Sequence, residues 1–455
     1  MITALRYKRQ LLTITFLTSA FVVLTCLYIT NPIRTPVTDD WLYLAIGSHD
    51  ISIFRQDSLE LINGHQQILV KIVVWILGFI PGLYYSYIWV VNSSFAFLGI
   101  YLLIISQINF WGKKTSFSRI IILVMILCNF KPLYLYMSFT GTGLCLTLFF
   151  IGIYYYAGSK SPTKKFKCMQ DCCAFLAPFA TGFGISLAIA HLVQLFFQMK
   201  RGFSLKSSKY GAIRFLLIGF SLMFAYVLPL VYKITNPRSP GDGATRIDNI
   251  IQLIIDPISS IRFVSGLLGS ALVPSSRFEP WLPITLGVIL LALIVFTFYH
   301  YFTLRTFFQT ILLNGTPFIA AASFILMLLV FRGLGSEGSV NESLAPRYVM
   351  GTSLLLFSLA CLLFQVTDSI RKLHYVPSIL IFLMMFSASG VKTGLEWLSV
   401  RSQQTVSLYS CLETRPLIVE DCLYFAWPIR EGESSKQVTL IDLRKFSAYL
   451  EQSLK

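Results

Sequence analysis

The chain has 455 residues, of which 55% are hydrophobic and 13% are charged, against roughly 25% charged residues in an average soluble domain. This composition excludes an ordinary water-soluble enzyme and an intrinsically disordered chain. The formal net charge is +16, but the basic residues fall in short clusters between apolar runs, which argues against nucleic-acid binding. The sequence therefore predicts an all-α polytopic membrane protein.

Eleven apolar runs are predicted to cross the membrane, because each has the hydropathy of a spanning helix and most have the length. No small-residue cleavage site follows the first run, so we interpret it as an uncleaved span. The runs 172–187 and 188–199 are short and form either two crossings or a re-entrant hairpin, with His191 at its tip. The predicted spans are 11–30, 83–107, 119–137, 142–157, 172–187, 188–199, 213–232, 282–300, 312–331, 348–366 and 375–389.

The distribution of charge predicts the orientation of these spans. Lys and Arg concentrate in the cytoplasmic loops of membrane proteins. With a cytoplasmic N-terminus, 18 of the 37 basic residues fall on the cytoplasmic side, together with only two of the 21 acidic residues, Asp171 and Asp368. That side then carries the whole net charge of +16. Eleven spans also predict an external C-terminus.

We expect a transmembrane domain over 1–389 and a small external tail over 390–455. The loops 31–82 and 233–281 are the other large external segments. If the apolar run 66–80 were counted as a span, the basic loops after it would lie outside, so we expect a juxtamembrane helix on the outer surface. Its apolar face would contain Val70, Val73, Val74 and Leu77.

The tail contains two cysteines that lie close together in sequence, Cys411 and Cys422. In an oxidising compartment these two thiols could form a disulfide, which makes them a candidate pair if the tail is external.

The first external loop contains two adjacent carboxylates, Asp39 and Asp40, followed by Trp41. Paired acids at a membrane boundary are unusual, and intramembrane or boundary acids often belong to functional sites. A structural interpretation stands beside this one, in which Thr38 or Asp39 caps a short helix and Trp41 anchors that helix at the interface.

The first loop resembles that of the GT-C superfamily, integral membrane glycosyltransferases that take sugars from polyprenyl-phosphate carriers. The matching features are the acidic pair, the Asn63-Gly64 turn and the surface helix that follows His65. Within the superfamily, the chain is most similar to bacterial and phage serotype-converting O-antigen glucosyltransferases. The resemblance covers about residues 30–107 and the number of spans.

The resemblance implies that Asp39 is the catalytic base and that Asp40 orients the acceptor or Asp39. Trp41, Asn63 and His65 would position the loop and the acceptor. The donor phosphate would then be bound by basic and aromatic residues near the outer surface. The candidates are Arg347, Tyr348, Arg332, Lys71 and Lys131.

Ordinary membrane anatomy explains the phosphate-binding candidates equally well. Arg347 and Tyr348 at a helix end match a snorkelling guanidinium beside an aromatic belt, and Lys131 inside the third span matches a snorkelling ammonium. The loop from Tyr134 to Gly143 lacks the second acid that many GT-C proteins use with a divalent cation. We therefore expect no cofactor and assign no metal ligand, although the sequence does not exclude a divalent metal.

The resemblance implies an inverting hexosyltransferase, with glucose the expected sugar, in a bacterial inner membrane with its C-terminus in the periplasm. Its expected partners are an undecaprenyl-phosphate-sugar donor, an O-antigen or other lipid-linked or polysaccharide acceptor, membrane lipids, the donor synthase and a sugar-lipid flippase. No nucleic-acid partner is expected. An O-antigen polymerase, or a polytopic transporter or lipid flippase, is the alternative, although no internal repeat favours a transporter.

The charge distribution makes a testable prediction about topology. A reporter that is active only outside the cytoplasm should work when it is fused after residue 60, residue 240 or residue 455. It should fail after residue 165 or residue 207, because basic clusters hold those loops inside. Activity at residue 165, measured at matched expression, would invert the predicted map.

Overall fold

The computed structural model describes residues 2–30, 67–79, 88–111, 117–128, 136, 138–160, 163–200, 205–227, 255–272, 281–301, 317–332 and 348–367, and scattered positions between 391 and 410. These residues are helical and contain no sheet. The helices are α1 (Ile2–Thr30), α2 (Ile68–Leu77), α3 (Ile88–Trp111), α4 (Phe117–Leu127), α5 (Phe139–Gly158), α6 (Lys164–Leu176), α7 (Gly182–Lys200), α8 (Leu205–Leu222), α9 (Pro257–Ser270), α10 (Trp281–Tyr301), α11 (Phe318–Arg332) and α12 (Val349–Thr367).

Most predicted spans fall on these helices, and one boundary was wrong. The sequence analysis divided 172–187 from 188–199, whereas α7 continues through both sides of that boundary. The chain instead turns at 177–181, where Ala177–Phe179 forms one turn of 3-10 helix that contains Pro178. Pro lacks an N–H and is tolerated only near the start of a helix, so it favours the break at this point. The predicted span 375–389 lies outside the described residues.

Within the predicted run 66–80 the structure has a helix, α2. Val70, Val74 and Leu77 are buried on one of its faces, as the spacing predicted. The same face also buries a cation, Lys71, which a simple apolar helix would not. The helix is therefore packed against protein rather than spread on lipid alone.

Local sequence signals explain where several helices begin. Ser138 caps α5 by accepting a hydrogen bond from the Gly141 N–H at 3.1 Å. Asp256 caps α9 in the same way, accepting from the Ser259 N–H at 3.1 Å, and Pro257 occupies the first helical position. Ser and Asp are preferred caps because their side chains satisfy N–H groups that the helix leaves open, and Pro needs no partner there.

Helices α3 and α5 approach closely where both have glycine. A Cβ atom at Gly152 would lie 2.5 Å from the carbonyl oxygen of Gly99, and one at Gly99 would lie 2.6 Å from that of Leu148. Small residues let helix backbones approach closely, which is the main source of helix packing inside membranes. Glycine at these two positions therefore sets the distance between α3 and α5.

Helices α6 and α7 form a hairpin that runs along α5. Near one end of α5, the Gln170 amide donates to the carbonyl of Tyr154 at 3.3 Å. Near the other end, a Cβ atom at Gly143 would lie 2.6 Å from the carbonyl oxygen of Ala180, in the turn of the hairpin. The hairpin therefore lies along α5 from the level of Tyr154 to that of Gly143.

The external loop predicted over 233–281 contains α9, which packs along α10. Close approaches join Gly269 to Pro283 and Gly287 to Ser265, so the two helices are antiparallel. Most residues from Phe263 to Ser270 are buried in this contact. This part of the predicted loop is thus a packed helix rather than an irregular connection.

The outer surface of the helix assembly is rich in apolar side chains. On α8, Ile213, Leu216, Leu217 and Phe220 are all more than half exposed. Two helical segments, Ile88–Phe110 and Gly141–Gly158, are long and apolar enough to cross a membrane, and several shorter apolar helices accompany them. An apolar surface of this kind is typical of contact with lipid or another apolar partner.

The glycine contact between α3 and α5 gives a stability prediction. Gly152→Ala should lower the thermal midpoint of the detergent-solubilised protein by several degrees, because the new methyl group must push α3 away. The matched control is Gly219→Ala on α8, where a Cβ atom would meet nothing within 4 Å. That variant should keep or slightly raise the midpoint, because Ala favours helix over Gly by up to about 1 kcal/mol. Equal effects of the two substitutions would contradict the close approach.

Candidate functional site

Several helix ends meet at one end of the assembly, which we call the Gly143 end. Val70 of α2 lies against Gly143, because a Cβ atom there would be 3.2 Å from Val70 Cγ2 and 3.1 Å from Thr181 Cγ2. The side-chain amide of Asn92, in the first turns of α3, donates to the carbonyls of Tyr136 and Ser138 at 3.1 and 2.8 Å. The start of α3, the start of α5, α2 and the hairpin turn therefore share this end.

Helices α1 and α12 reach the same end through aromatic contacts. The ring of Phe21 on α1 stacks on that of Trp89 at 5.9 Å, so the last turns of α1 lie near the start of α3. Beside the hairpin turn, the ring of Phe183 lies 4.5 Å from that of Phe324. Phe324 in turn packs against Gly351, in the first turn of α12. Residues that follow α1 or precede α12 in sequence thus enter or leave the fold here.

Lys71 is the most unusual side chain at the Gly143 end. It is only 1% exposed, although lysine is almost never fully buried unless it is paired. It follows Val70 directly and lies in the first turn of α2, with its backbone N–H donating to the carbonyl of Gln67 at 3.1 Å. A buried ammonium is a strong, compact positive charge, which suits it to binding an anion.

Gln67, which precedes α2, has a backbone φ of 46° and ψ of 37°. This left-handed conformation is uncommon for a residue other than glycine and costs of order 1–3 kcal/mol. Gln67 comes two residues after His65, so the strain lies where the predicted site loop joins α2. Strained backbone of this kind is concentrated at functional sites.

Buried hydroxyl groups add polar atoms to this end. Thr142, next to Gly143, and Ser93, next to Asn92, are both buried, as is Ser353 in the first turns of α12. Their oxygen atoms make no hydrogen bond within the described part of the chain. Buried polar atoms normally have a partner, so each of these hydroxyls is suited to bind a ligand, a water or a neighbouring loop.

The structure places two of the predicted phosphate-binding residues in relation to this end. Lys71 belongs to it through α2, and Tyr348 is buried immediately before α12. Arg332 is the last residue of α11. The other predicted site residues lie outside the described residues. They are Asp39, Asp40, Trp41, Asn63, His65, Lys131, Arg347, Cys411 and Cys422.

A second polar cluster occupies the opposite end of the assembly, which we call the Tyr154 end. The guanidinium of Arg214 on α8 donates to both carboxylate oxygens of Asp171 on α6, with distances of 2.6 to 2.9 Å. The Nε2 atom of His191 on α7 lies 2.9 Å from the same carboxylate, and its Nδ1 atom lies 2.8 Å from the Tyr154 hydroxyl. That hydroxyl also donates to Gln194.

The sequence pattern placed His191 at the tip of a hairpin and did not indicate this network. His191 is buried within α7, one turn from Gln194, and not at the tip of a hairpin. Burial raises the pKa of Asp171, but hydrogen bonds from His191 and Arg214 outweigh this effect and hold that pKa below its usual range. The network joins four helices through charges that are distant in sequence, so spacing alone could not reveal it.

The described residues contain no group of three or more His, Cys, Asp or Glu side chains that could hold a metal ion. Cys168 and Cys172 are exposed one turn apart on α6, and Cys173 is buried. At the Gly143 end, the described residues combine a buried ammonium with buried hydroxyl groups, which are donors of the kind that suit an anion.

Comparison with known proteins finds no matching family model, no matching curated protein and no matching solved structure. Function is therefore inferred from the sequence motif and from the two polar ends of the structure.

The Asp171 network gives a second stability prediction. Asp171→Asn should lower the free energy of unfolding by roughly 2 kcal/mol, because it leaves the Arg214 guanidinium largely buried without a counter-charge. We expect no larger loss because water partly screens the pair: the Asp171 side chain is 21% exposed and the Arg214 side chain 11%. The double variant Asp171→Asn/Arg214→Gln should recover part of the loss, and strictly additive losses would contradict the coupling.

Proposed function

We propose that this chain is a multi-pass membrane glycosyltransferase of the GT-C type. It transfers a hexose, with glucose the expected sugar, from an undecaprenyl-phosphate sugar to O-antigen or another lipid-linked glycan on the periplasmic side of a bacterial inner membrane. The observation that carries this proposal is the buried Lys71 on α2, at the end where the last turns of α1 lie, and Asp39 and Asp40 follow α1 in sequence. An anion site and a carboxylate base are the two elements that the reaction needs.

The distribution of basic residues supports an external position for the Gly143 end. Lys164, Lys165 and Lys167 lie at the start of α6, on the side of Asp171 that faces away from the hairpin turn. Basic residues favour the cytoplasmic side. The Tyr154 end is then cytoplasmic, and the Gly143 end faces the periplasm, where the lipid-linked donor and acceptor would meet.

The donor presents a phosphate diester between its sugar and its lipid. The Lys71 ammonium supplies a positive charge in a buried setting, where electrostatic attraction is stronger than in water. Tyr348 is buried immediately before α12, and Arg347 precedes it in sequence. The Arg347 guanidinium would bind the donor phosphate through two parallel N–H groups. Thr142 and Ser93 offer neutral donors for the remaining oxygens.

Inversion requires one base and no covalent intermediate. The acceptor hydroxyl oxygen attacks the anomeric carbon, the carbon–oxygen bond to the phosphate breaks, and polyprenyl phosphate leaves with the electron pair. The acceptor proton passes to the Asp39 carboxylate. A retaining mechanism needs carboxyl groups about 5 Å apart across the sugar, which adjacent residues do not readily supply, because they diverge by about 100° if the segment is helical.

The decisive experiment is Asp39→Asn. We expect sugar transfer in isolated membranes to fall by about 10² or more at matched protein level, because Asn keeps the shape of Asp but cannot accept the proton. Asp40→Asn is the matched control and should lose less activity, since Asp40 only orients the reacting groups.

The capping interpretation predicts a different result. Asn is itself a good helix cap, so a capping role would leave either variant within a few tenths of a kcal/mol of wild type. Wild-type transfer by Asp39→Asn would therefore contradict the catalytic assignment. Comparing surface polysaccharide from cells with and without the protein would separate an added hexose from a change in chain length, which is what a polymerase would produce.

Lys71 gives a separate prediction for the donor site. Lys71→Met keeps the length and apolar stem of the side chain but removes its charge, so the protein should still insert and accumulate. The apparent KM for the donor should rise by about tenfold or more, because a charge-assisted contact with phosphate is lost. Lys71→Arg should retain part of the affinity. An unchanged donor KM in Lys71→Met would show that Lys71 does not bind the donor and is only structural.

A further inference from the structure

The start of α6 presents a compact positive surface that sugar transfer does not use. Lys164, Lys165 and Lys167 are all exposed. At about 100° per residue they lie within about 160° of the helix circumference, and Cys173, which is buried, lies on the opposite side. We call these three side chains the lysine patch.

The lysine patch opposes the stability of its own helix. The first turn of a helix carries partial positive charge, so cations there are unfavourable and acids are favourable. The first turn of α6 contains no acid, and Thr163 already caps it by accepting from the Phe166 N–H at 3.5 Å. Gln at these three positions would therefore stabilise α6 better than Lys does. Because the lysines do not serve the stability of α6, they point to a negative partner outside the helix.

The nearest acid on α6 does not neutralise the lysine patch. Asp171 lies one turn beyond Lys167, but both of its oxygens accept hydrogen bonds from Arg214, and one also contacts His191. The Lys160 ammonium, just before α6, lies 4.7 Å from the centre of the Tyr156 ring and adds to the positive charge nearby. The surface thus keeps its excess of positive charge.

The position of the lysine patch relative to the apolar surface indicates what that partner is. Helix α8 contacts α6 through Arg214 and through the Ser221 hydroxyl, which donates to the Phe175 carbonyl at 2.6 Å. Beside these contacts α8 exposes Ile213, Leu216, Leu217 and Phe220, which we call the apolar belt. At 1.5 Å per residue, the first lysine lies about 10 Å along α6 from Asp171.

That distance is comparable to the depth of a lipid headgroup layer, roughly 5–8 Å on each side of the hydrocarbon core. A phospholipid whose acyl chains cover the apolar belt would therefore bring its phosphate to the lysine patch. We propose that the lysine patch and the apolar belt together bind an anionic glycerophospholipid on the cytoplasmic face. The inference rests on the membrane location in the proposed function but not on sugar transfer.

The test titrates full-length protein in neutral detergent with phosphatidylglycerol and counts bound lipid by native mass spectrometry. Each basic side chain near a membrane surface strengthens anionic-lipid binding about fivefold. The variant Lys164→Gln/Lys165→Gln/Lys167→Gln should therefore bind phosphatidylglycerol about a hundredfold more weakly than wild type. The matched control, Lys164→Arg/Lys165→Arg/Lys167→Arg, keeps the charge and should bind phosphatidylglycerol as the wild type does.

Phosphatidylcholine should bind both the wild type and the Gln variant weakly, because its headgroup has no net charge. Wild-type affinity for phosphatidylglycerol in the Gln variant would overturn the proposal and leave the lysines only a topological role. Inorganic phosphate that displaces the lipid at millimolar concentration would also overturn it, because the site would then be a simple anion site.

Folding of the variants is checked independently in neutral detergent. The Gln variant should have an equal or higher thermal midpoint there, because it removes cations from the positive end of the α6 dipole. If the triple variant does not accumulate, the three single Gln variants replace it, each with an expected fivefold loss of affinity. This experiment measures lipid binding, whereas the Asp39→Asn experiment measures sugar transfer. Either proposal can therefore fail without the other.

Discussion

The fold depends on helix backbones that approach one another where no side chain stands between them. Gly99 and Gly152 bring α3 and α5 together, Gly143 admits the hairpin turn at Ala180, and Gly184 lies against Ala177 within that turn. In a membrane the hydrophobic effect does not drive helices together, so close packing of small residues and hydrogen bonds must do so. A methyl group at such positions changes the spacing of whole helices.

This tight packing separates two polar regions. At the Tyr154 end, a carboxylate, a guanidinium and an imidazole satisfy one another, which fits a structural role for that cluster. At the Gly143 end, the hydroxyls of Thr142, Ser93 and Ser353 make no hydrogen bond within the described part of the chain, Lys71 is buried, and Gln67 has a left-handed backbone conformation. These buried hydroxyls and the left-handed backbone are the physical reason for seeking the site at the Gly143 end.

Some residues of the site could be predicted from sequence, and others could not. The face of α2 that buries Val70, Val74 and Leu77 followed from helical spacing. The burial of Lys71 on that same face did not, because periodicity treats a lysine as solvent-exposed. The predicted boundary near 187 failed for a related reason: hydropathy stays high across Ala177–Thr181, and only Pro178 signals the turn.

Composition and charge by themselves determined the helical class, the apolar segments and the predicted orientation, since these depend on the solvation of each segment separately. The acidic pair and its resemblance to a transferase loop also came from the sequence. Only the tertiary structure decided that Asp171, His191 and Arg214 meet, that the hairpin runs along α5, and that α2, α5 and α12 share one end. Those facts depend on contacts between residues far apart in the chain, and such contacts arise from the fit of helix surfaces rather than from any local pattern.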